Sequence, residues 1–216
     1  MTTIGFIGSG RIGSQVARAA IADGYDVVVS NSRHPDTLAE LVAELGEHAR
    51  AGTTLEAAEA GELVVVTIPL KAIGDVPIEP LVGKLVIDTN NYYSQRDGHI
   101  AALDAEEITS SGLLQQRLRG AHVVKAFNAI GAAEITSTAN PSGTPGRRAL
   151  AIAGDDEASN ALVASFLDRI GFDTVDLGPL SESWRIQPGT PGYGADLTQP
   201  ELEAATSAAV RPTPAS

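Results

Sequence analysis

The residues best placed to do chemistry stand near the start of the chain. Gly8-Ser9-Gly10-Arg11-Ile12-Gly13 is a G-x-G-x-x-G turn. Such a turn binds a dinucleotide pyrophosphate when it closes a strand and opens a helix. Gly8 permits the tight turn, Gly10 has no Cβ to hold the phosphate off the backbone, and Gly13 lets the helix pack closely on the strand. The amides of the helix's first turn then face the phosphates, and the helix dipole favours their charge. The motif alone is a weak signal; its surroundings strengthen it. Thr3-Ile4-Gly5-Phe6-Ile7 reads as a short buried strand before it, and Asp26-Val27-Val28-Val29-Ser30 as a second strand at βαβ spacing.

The end of that second strand selects the cofactor. An NAD site places Asp or Glu there to bind the ribose 2′-hydroxyl. This chain has Asn31, Ser32 and Arg33, 18 to 20 residues after Gly13. No carboxylate repels a 2′-phosphate, Arg33 can pair with one, and Asn31 and Ser32 can donate hydrogen bonds. Arg11 can lie near the same phosphate or over the adenine. The cofactor expected is NADP(H). The plainer alternative for Arg33 is a solvated loop arginine.

Elements that alternate down the chain must hold these residues. A helix starting at Asp36-Thr37 is expected to bury Leu38, Leu41, Val42 and Leu45 and to stop at Gly46. A short strand near Ala49 precedes a brief Ala-rich helix capped by Thr53 or Thr54. Leu63-Val64-Val65-Val66-Thr67-Ile68 is a continuous apolar run, as expected inside a parallel sheet, and breaks at Pro69. Further strands are expected at 85–87, 122–127, 149–153 and 172–177, with helices at 109–118 and after Asp155-Asp156. The fold class is α/β: a doubly wound, Rossmann-type, mostly parallel sheet. Residues 1–178 form the expected NADP-binding domain and 179–216 a small Gly/Pro-rich extension, ending in a tail expected to be disordered. Ligands of such sheets bind beyond the carboxyl ends of the strands. Segments 8–13, 31–33, 69–72, 88–91 and 128–131 should therefore share one rim.

Composition removes several classes of function. The net charge is −12 and aromatics are 4% of 216 residues, which argues against nucleic acid as a partner. The chain has no cysteine, so disulfides, thiol nucleophiles and iron–sulfur clusters are excluded. His34, His48, His99 and His122 lack metal-site spacing, and no metal is expected. Met1-Thr2-Thr3 leads straight into the first strand. Neither a leader nor a membrane span is therefore expected, and the location expected is cytoplasmic.

Several blocks together resemble a known family, the NADPH-dependent deazaflavin (coenzyme F420) reductases. They are the early glycine turn with Ser32-Arg33, Thr67-Ile68-Pro69, and Val124-Lys125-Ala126-Phe127-Asn128-Ala129-Ile130-Gly131. Ala153-Gly154-Asp155-Asp156 and Asp176-Leu177-Gly178-Pro179-Leu180-Ser181-Glu182-Ser183 extend the likeness over nearly the whole chain. The resemblance implies hydride exchange between NADP(H) and the deazaflavin. It implies that Ser9, Gly10, Arg11 and Ile12 cradle the pyrophosphate and that Asn31, Ser32 and Arg33 hold the 2′-phosphate. It further implies that Ile68 and Pro69 line the cofactor cleft, that the stretch from Asn128 to Ala132 lies by the two rings, and that the protein is a homodimer.

Direct hydride transfer needs no metal or catalytic triad. The protein must stack two flat rings, exclude water and fix their faces. Asn128 is the candidate catalytic residue, and Asn128 with Asn90 or Asn91 are candidate donors to ring carbonyls. Asn90-Asn91 also reads as an ordinary turn pair. Lys125 and Phe127 should share a face; Lys125 is either a satisfied interior lysine or an anion contact. Trp184 reads as a packing or dimer residue. The loop around 187–194 is expected either to cover the acceptor pocket, with Arg185 and Tyr193 reaching in, or to cross a dimer interface. Other acceptors (a flavin, quinone, ferric chelate, small carbonyl or imine) and a non-catalytic NADP(H) sensor are the alternative functions.

Overall fold

In the computed structural model, which describes residues 2–211, eight strands form one sheet in the order β3-β2-β1-β4-β5-β6-β7-β8. The strands are β1 (Thr3–Ile7), β2 (Asp26–Ser30), β3 (Ala49–Ala51), β4 (Leu63–Val66), β5 (Leu85–Asp88), β6 (His122–Lys125), β7 (Ala149–Gly154) and β8 (Asp173–Asp176). β1 to β6 are all parallel. β7 pairs antiparallel with β6 through Val124–Gly154 and Lys125–Ala153, and β8 follows β7 in parallel. The mostly parallel, doubly wound sheet expected from the alternating pattern is present. Residues 212–216, most of the tail expected to be disordered, lie outside the described residues.

Nine α-helices are found among the described residues: α1 (Arg11–Ala22), α2 (Ala39–Leu45), α3 (Thr54–Ala60), α4 (Ser94–Asp97), α5 (Ala101–Asp104), α6 (Ser110–Arg117), α7 (Glu134–Ser137), α8 (Glu157–Arg169) and α9 (Gln199–Ser207). Their starts follow the expected chemistry. Thr53 and Glu56 form a capping box on α3, the Thr109 hydroxyl accepts from Gly112 on α6, and the Asp156 carboxylate accepts from Ser159 on α8. One face of the sheet buries Val16, Ala17 and Ala20 of α1 with Val163, Phe166 and Leu167 of α8. The other buries Ala58 of α3 with Leu114 of α6 and Leu118 just beyond it.

The stretch after β8 is more regular than its Gly and Pro content suggests. Leu180–Ile186 is a 3₁₀ segment that returns the chain to the rim, and α9 buries Leu202 against Ala149, Ala151 and Val175. Ala149 N–H donates to Leu197 C=O at 2.8 Å, and Gly194 N–H to Ala129 C=O at 3.0 Å. Residues 187–194 are thereby tied to the loop that follows β6.

Alternation fails once, at the rim. Lys125 and Phe127 were expected on one face, yet Lys125 meets Ser110 and Ser111 of α6, whereas Phe127 packs with Phe166 of α8. The strand ends at Lys125, and Phe127 adopts φ 60°, in the left-handed region. That turn swings the side chain to the opposite face. A left-handed phenylalanine is costly and persists only where packing over-determines it, most often beside a functional site.

Candidate active site

The glycine turn is pressed against the end of β4. Gly8 has φ +99°, and a Cβ there would lie 2.2 Å from Thr67 C=O. A Cβ on Gly13 would lie 2.5 Å from Gly8 C=O and 2.6 Å from Thr67 Cγ2. Gly10 by contrast faces open space. It is the N-cap of α1, where no side chain accepts the first amides and no acidic residue sits in the first turn. Those N–H groups need an acceptor, as at an anion site. Ser9 Oγ donates to Ser30 C=O at 2.9 Å, which ties the turn to the end of β2.

At that end Asn31 shapes the loop. Its Oδ1 accepts from Arg33 N–H at 2.8 Å, and its Nδ2 donates to Thr37 Oγ1 at 3.0 Å. Ser32 and Arg33 are left exposed on the turn, as is Arg11 across the loop. Among the described residues neither arginine side chain makes an ion pair or a hydrogen bond. Two free guanidinium groups thus flank an uncapped helix start.

From the glycine turn a cleft of about 370 Å³ runs along the rim. Its wall takes Gly10, Arg11 and Ile12 from the turn, Ile68 and Pro69 after β4, Asn90 and Asn91 after β5, and Phe127 and Asn128 after β6. Four of the five segments expected on one rim therefore meet here. Residues 31–33 are outside the cleft lining, as are Gly8 and Ser9 beneath the turn. Ala132 is half-buried in the bend before α7 and does not line the cleft.

Asn90 is held at every point but one. Its N–H donates to Asp88 Oδ1 at 3.0 Å, and its C=O accepts from Lys125 Nζ at 2.8 Å. Its Oδ1 accepts from Ile68 N–H at 3.0 Å, which leaves Nδ2 buried and unpartnered. Lys125 is an interior lysine, fully buried, with further bonds to Ser110 Oγ and Ser111 Oγ at 3.0 Å each. Ser111 Oγ in turn donates to Asp88 Oδ2 at 2.6 Å. Burial pushes the Lys125 ammonium below its usual range, and the Asp88 carboxylate 3.9 Å away opposes that shift.

Asn128 spends both of its N–H groups on the protein. Nδ2 donates to Ile186 C=O at 2.6 Å and to Asn91 Oδ1 at 3.1 Å, and Oδ1 is buried without a partner. Asn91 Nδ2 donates to Asn128 C=O at 2.8 Å and reaches Tyr193 Oη at 3.4 Å. Tyr193 lines the cleft, whereas Arg185 turns away to Glu182 at 2.7 Å and Thr206 C=O at 3.0 Å. Trp184 is buried under the Arg185 guanidinium, as a packing residue would be.

The sequence reading missed one cluster. Tyr93 Oη and Tyr193 Oη lie 2.6 Å apart across 100 residues of chain. Arg96 stands 4.9 Å from the centre of the Tyr93 ring, held by Asp97 at 2.9 and 3.0 Å and by Asn91 C=O at 2.8 Å. Burial alone would raise the Asp97 carboxyl, but bonds from Arg96 and the Tyr93 N–H hold it below the usual carboxylate range. Burial and the bond to Tyr93 push the Tyr193 phenol up. Among the described residues no three His, Cys, Asp or Glu side chains converge on a metal position. No described helix is long and apolar enough to cross a membrane.

Residues 3–92 match the family described as NADP oxidoreductase, coenzyme F420-dependent. The chain superposes on the hypothetical protein SMa0349 of Sinorhizobium meliloti with a TM-score of 0.75 at 29% identity, covering 92% of this chain and 96% of that one. It also superposes on a proposed F420-dependent NADP reductase of Arthrobacter sp. FB24 (TM-score 0.73, 23% identity, 85% of this chain and 87% of that one). An imine reductase of Streptomyces aurantiacus shares the fold over 82% of this chain and 56% of its own, with a TM-score of 0.60 at 18% identity. Among curated proteins, YjhV of Escherichia coli K12 is 45% identical over 56 residues, 26% of this chain. The match spans 41% of YjhV, so less than half of that relative's length is covered. The glycine turn, the β2 end and Thr67-Ile68-Pro69 all fall inside the matched stretch, so over residues 3–92 the chain is similar to the coenzyme F420-dependent NADP oxidoreductases.

Proposed function

We propose that the protein moves a hydride between NADP(H) and the deazaflavin coenzyme F420 in the rim cleft. The observation that carries this reading is the continuity of the cleft from the uncapped start of α1 to Asn90 and Asn128. One end suits a pyrophosphate and the other a pair of flat rings.

The residues present fit the dinucleotide. Open space over Gly10 and the unaccepted first-turn amides of α1 suit the pyrophosphate, with Ser9, Arg11 and Ile12 shaping its bed. Arg33 and Ser32 are free to hold a 2′-phosphate, on a turn that Asn31 sets. Bound NADPH supplies a hydride from its dihydronicotinamide. Ile68 and Pro69 give the ring an apolar wall that excludes water. Asn90 Nδ2, the one unpartnered donor of a residue fixed on all other sides, orients a ring carbonyl. Asn128 holds the opposite wall, through Asn91 and Ile186. Together they set two rings at about 3–3.5 Å, the spacing that direct transfer needs.

The test is spectroscopic. Purified protein with NADPH should bleach the visible band of oxidised coenzyme F420, with NADH far less effective. Riboflavin and flavin mononucleotide run in parallel. Absence of bleaching, with NADPH binding shown by its fluorescence, removes the deazaflavin as acceptor.

A further inference from the structure

A neutral acceptor that takes a hydride at carbon gains negative charge on the nitrogen or oxygen conjugated to it, and a proton delivered there completes the reduction. Building on the hydride-transfer reading above, we propose that the Tyr93–Tyr193 pair is the proton donor of the cleft. Two observations lead there independently. The first is a roll of what the wall lacks. Among the described residues no Asp, Glu, His, Lys or Cys lines the cleft, its arginines do not release protons, and the two phenols are the most acidic O–H groups it presents.

The second is a count of protons. The hydroxyls share one hydrogen bond of 2.6 Å. Asn91 Nδ2 reaches Tyr193 Oη as a donor, so it absorbs neither phenolic proton. Of the two protons, one lies between the oxygens and the other has no partner among the described residues, whichever tyrosine carries it. Both side chains are half-buried and line the cleft, so the spare O–H is within reach of a ligand. Burial and the mutual bond hold the Tyr193 proton in place until a ligand accepts it, and Arg96, beside the Tyr93 ring, partly offsets that hold.

A C–H bond forms at the acceptor carbon with the electron pair delivered by NADPH. The π pair of its C=N or C=O system, or of the conjugated deazaflavin ring, moves to the heteroatom. The tyrosine O–H bond breaks, an N–H or O–H bond forms on the acceptor, and the phenolate recovers a proton from water at the open side of the cleft. The sum is NADPH, a proton and oxidised acceptor giving NADP⁺ and reduced acceptor. The same pair takes the proton back in the reverse direction. The substrates this suits are acceptors in which the hydride-receiving carbon is conjugated to nitrogen or oxygen.

The experiment compares wild type, Tyr93→Phe, Tyr193→Phe and the double variant. NADPH fluorescence first reports that each folds and binds. The visible band of oxidised coenzyme F420, added without NADPH, should be perturbed by wild type and much less by the double variant, which has no O–H to offer the ring. Single-turnover rates are then read in H₂O and D₂O. Each single variant keeps one free hydroxyl and should lose less than about 10-fold. The double variant should lose about 100-fold or more, in line with a positioned acid. A double variant with the wild-type rate, isotope effect and bound spectrum overturns the proposal alone. A wild type that binds NADPH yet reduces neither the deazaflavin nor a cyclic imine overturns the hydride-transfer reading, and the proposal with it.

Discussion

At the glycine-turn end of the cleft Arg11, and on the neighbouring β2 turn Arg33, stand exposed with no acidic partner among the described residues. At the β5 and β6 end every charge is matched: Lys125 by Asp88 and two serines, Arg96 by Asp97. On the proposed reading the first end receives charge from a ligand. The second holds backbone and amide groups still while the flat rings are placed. Local chain geometry suffices for the first, because a turn and a strand end supply all the groups. The second needs loops from distant parts of the chain, so it depends on buried polar bonds that must all be satisfied.

The largest effect should come from the matched end. Lys125→Met leaves Asp88 buried without its cation and frees the Asn90 carbonyl. A loss of about 3–5 kcal/mol is expected in denaturant unfolding, as for other buried pairs broken on one side. An unchanged midpoint would mean that the pair does not hold this end together. At the open end, Arg33→Ala should leave stability nearly untouched and weaken NADPH by about 1.5–3 kcal/mol, roughly ten- to a hundredfold. Ser32→Asp should act in the same direction by repulsion. NADH binding, followed by the same fluorescence, should barely move. Equal losses for both cofactors would remove the 2′-phosphate from Arg33 and erase the contrast.

The same contrast explains what the sequence made legible. The turn at 8–13, the strand at 26–30 and the loop at 31–33 are close in sequence, and their spacing carried the geometry. β4, β5 and β6 were readable as apolar runs, so the rim was too. Lys125 was ambiguous because its partners, Asp88, Ser110 and Ser111, come from two other elements. The Tyr93–Tyr193 bond has no local signature at all. α9 did have one: Thr198 and Glu201 form a capping box, with Pro200 in the first turn. Its apolar stripe is thin, with Leu202 its one large residue in the core, and the surrounding Gly and Pro hid it. The left-handed Phe127 ran against strand alternation, which no reading by period can foresee.

Two glycines sharpen the picture of the open end. Gly13→Ala puts a methyl 2.5 Å from Gly8 C=O, so helix and strand must part. A stability loss of about 1–3 kcal/mol is expected in thermal unfolding. Gly10→Ala meets nothing within 4 Å. Its melting should shift by no more than about 0.5 kcal/mol, while NADPH affinity falls because the methyl occupies the approach to the backbone. Two glycines of one motif would then separate cleanly, one acting on the fold and one on the ligand. If Gly10→Ala binds NADPH as well as wild type does, the pyrophosphate does not lie over that residue.

The smallest effect concerns acid, and it falls on the matched end. Asp97 has its carboxyl held below the usual range in the folded protein by Arg96 and the Tyr93 N–H. A depressed folded value contributes stability that is present above the unfolded value of about 3.9 and is lost as pH falls through the folded value. Below about pH 4, the clamp on Arg96 and on the Tyr93 backbone should therefore loosen before the glycine turn does, since no acidic residue sits in the first turn of α1. Amide exchange should show the Tyr93 N–H losing protection in that window while Gly8 N–H, bonded to Ser30 C=O at 3.2 Å, keeps its own. Asp97→Asn should flatten the acid limb of the stability curve and abolish the difference between the two amides. Loss of protection at both together would mean that acid acts on the whole sheet and that the two ends of the cleft are not separately held.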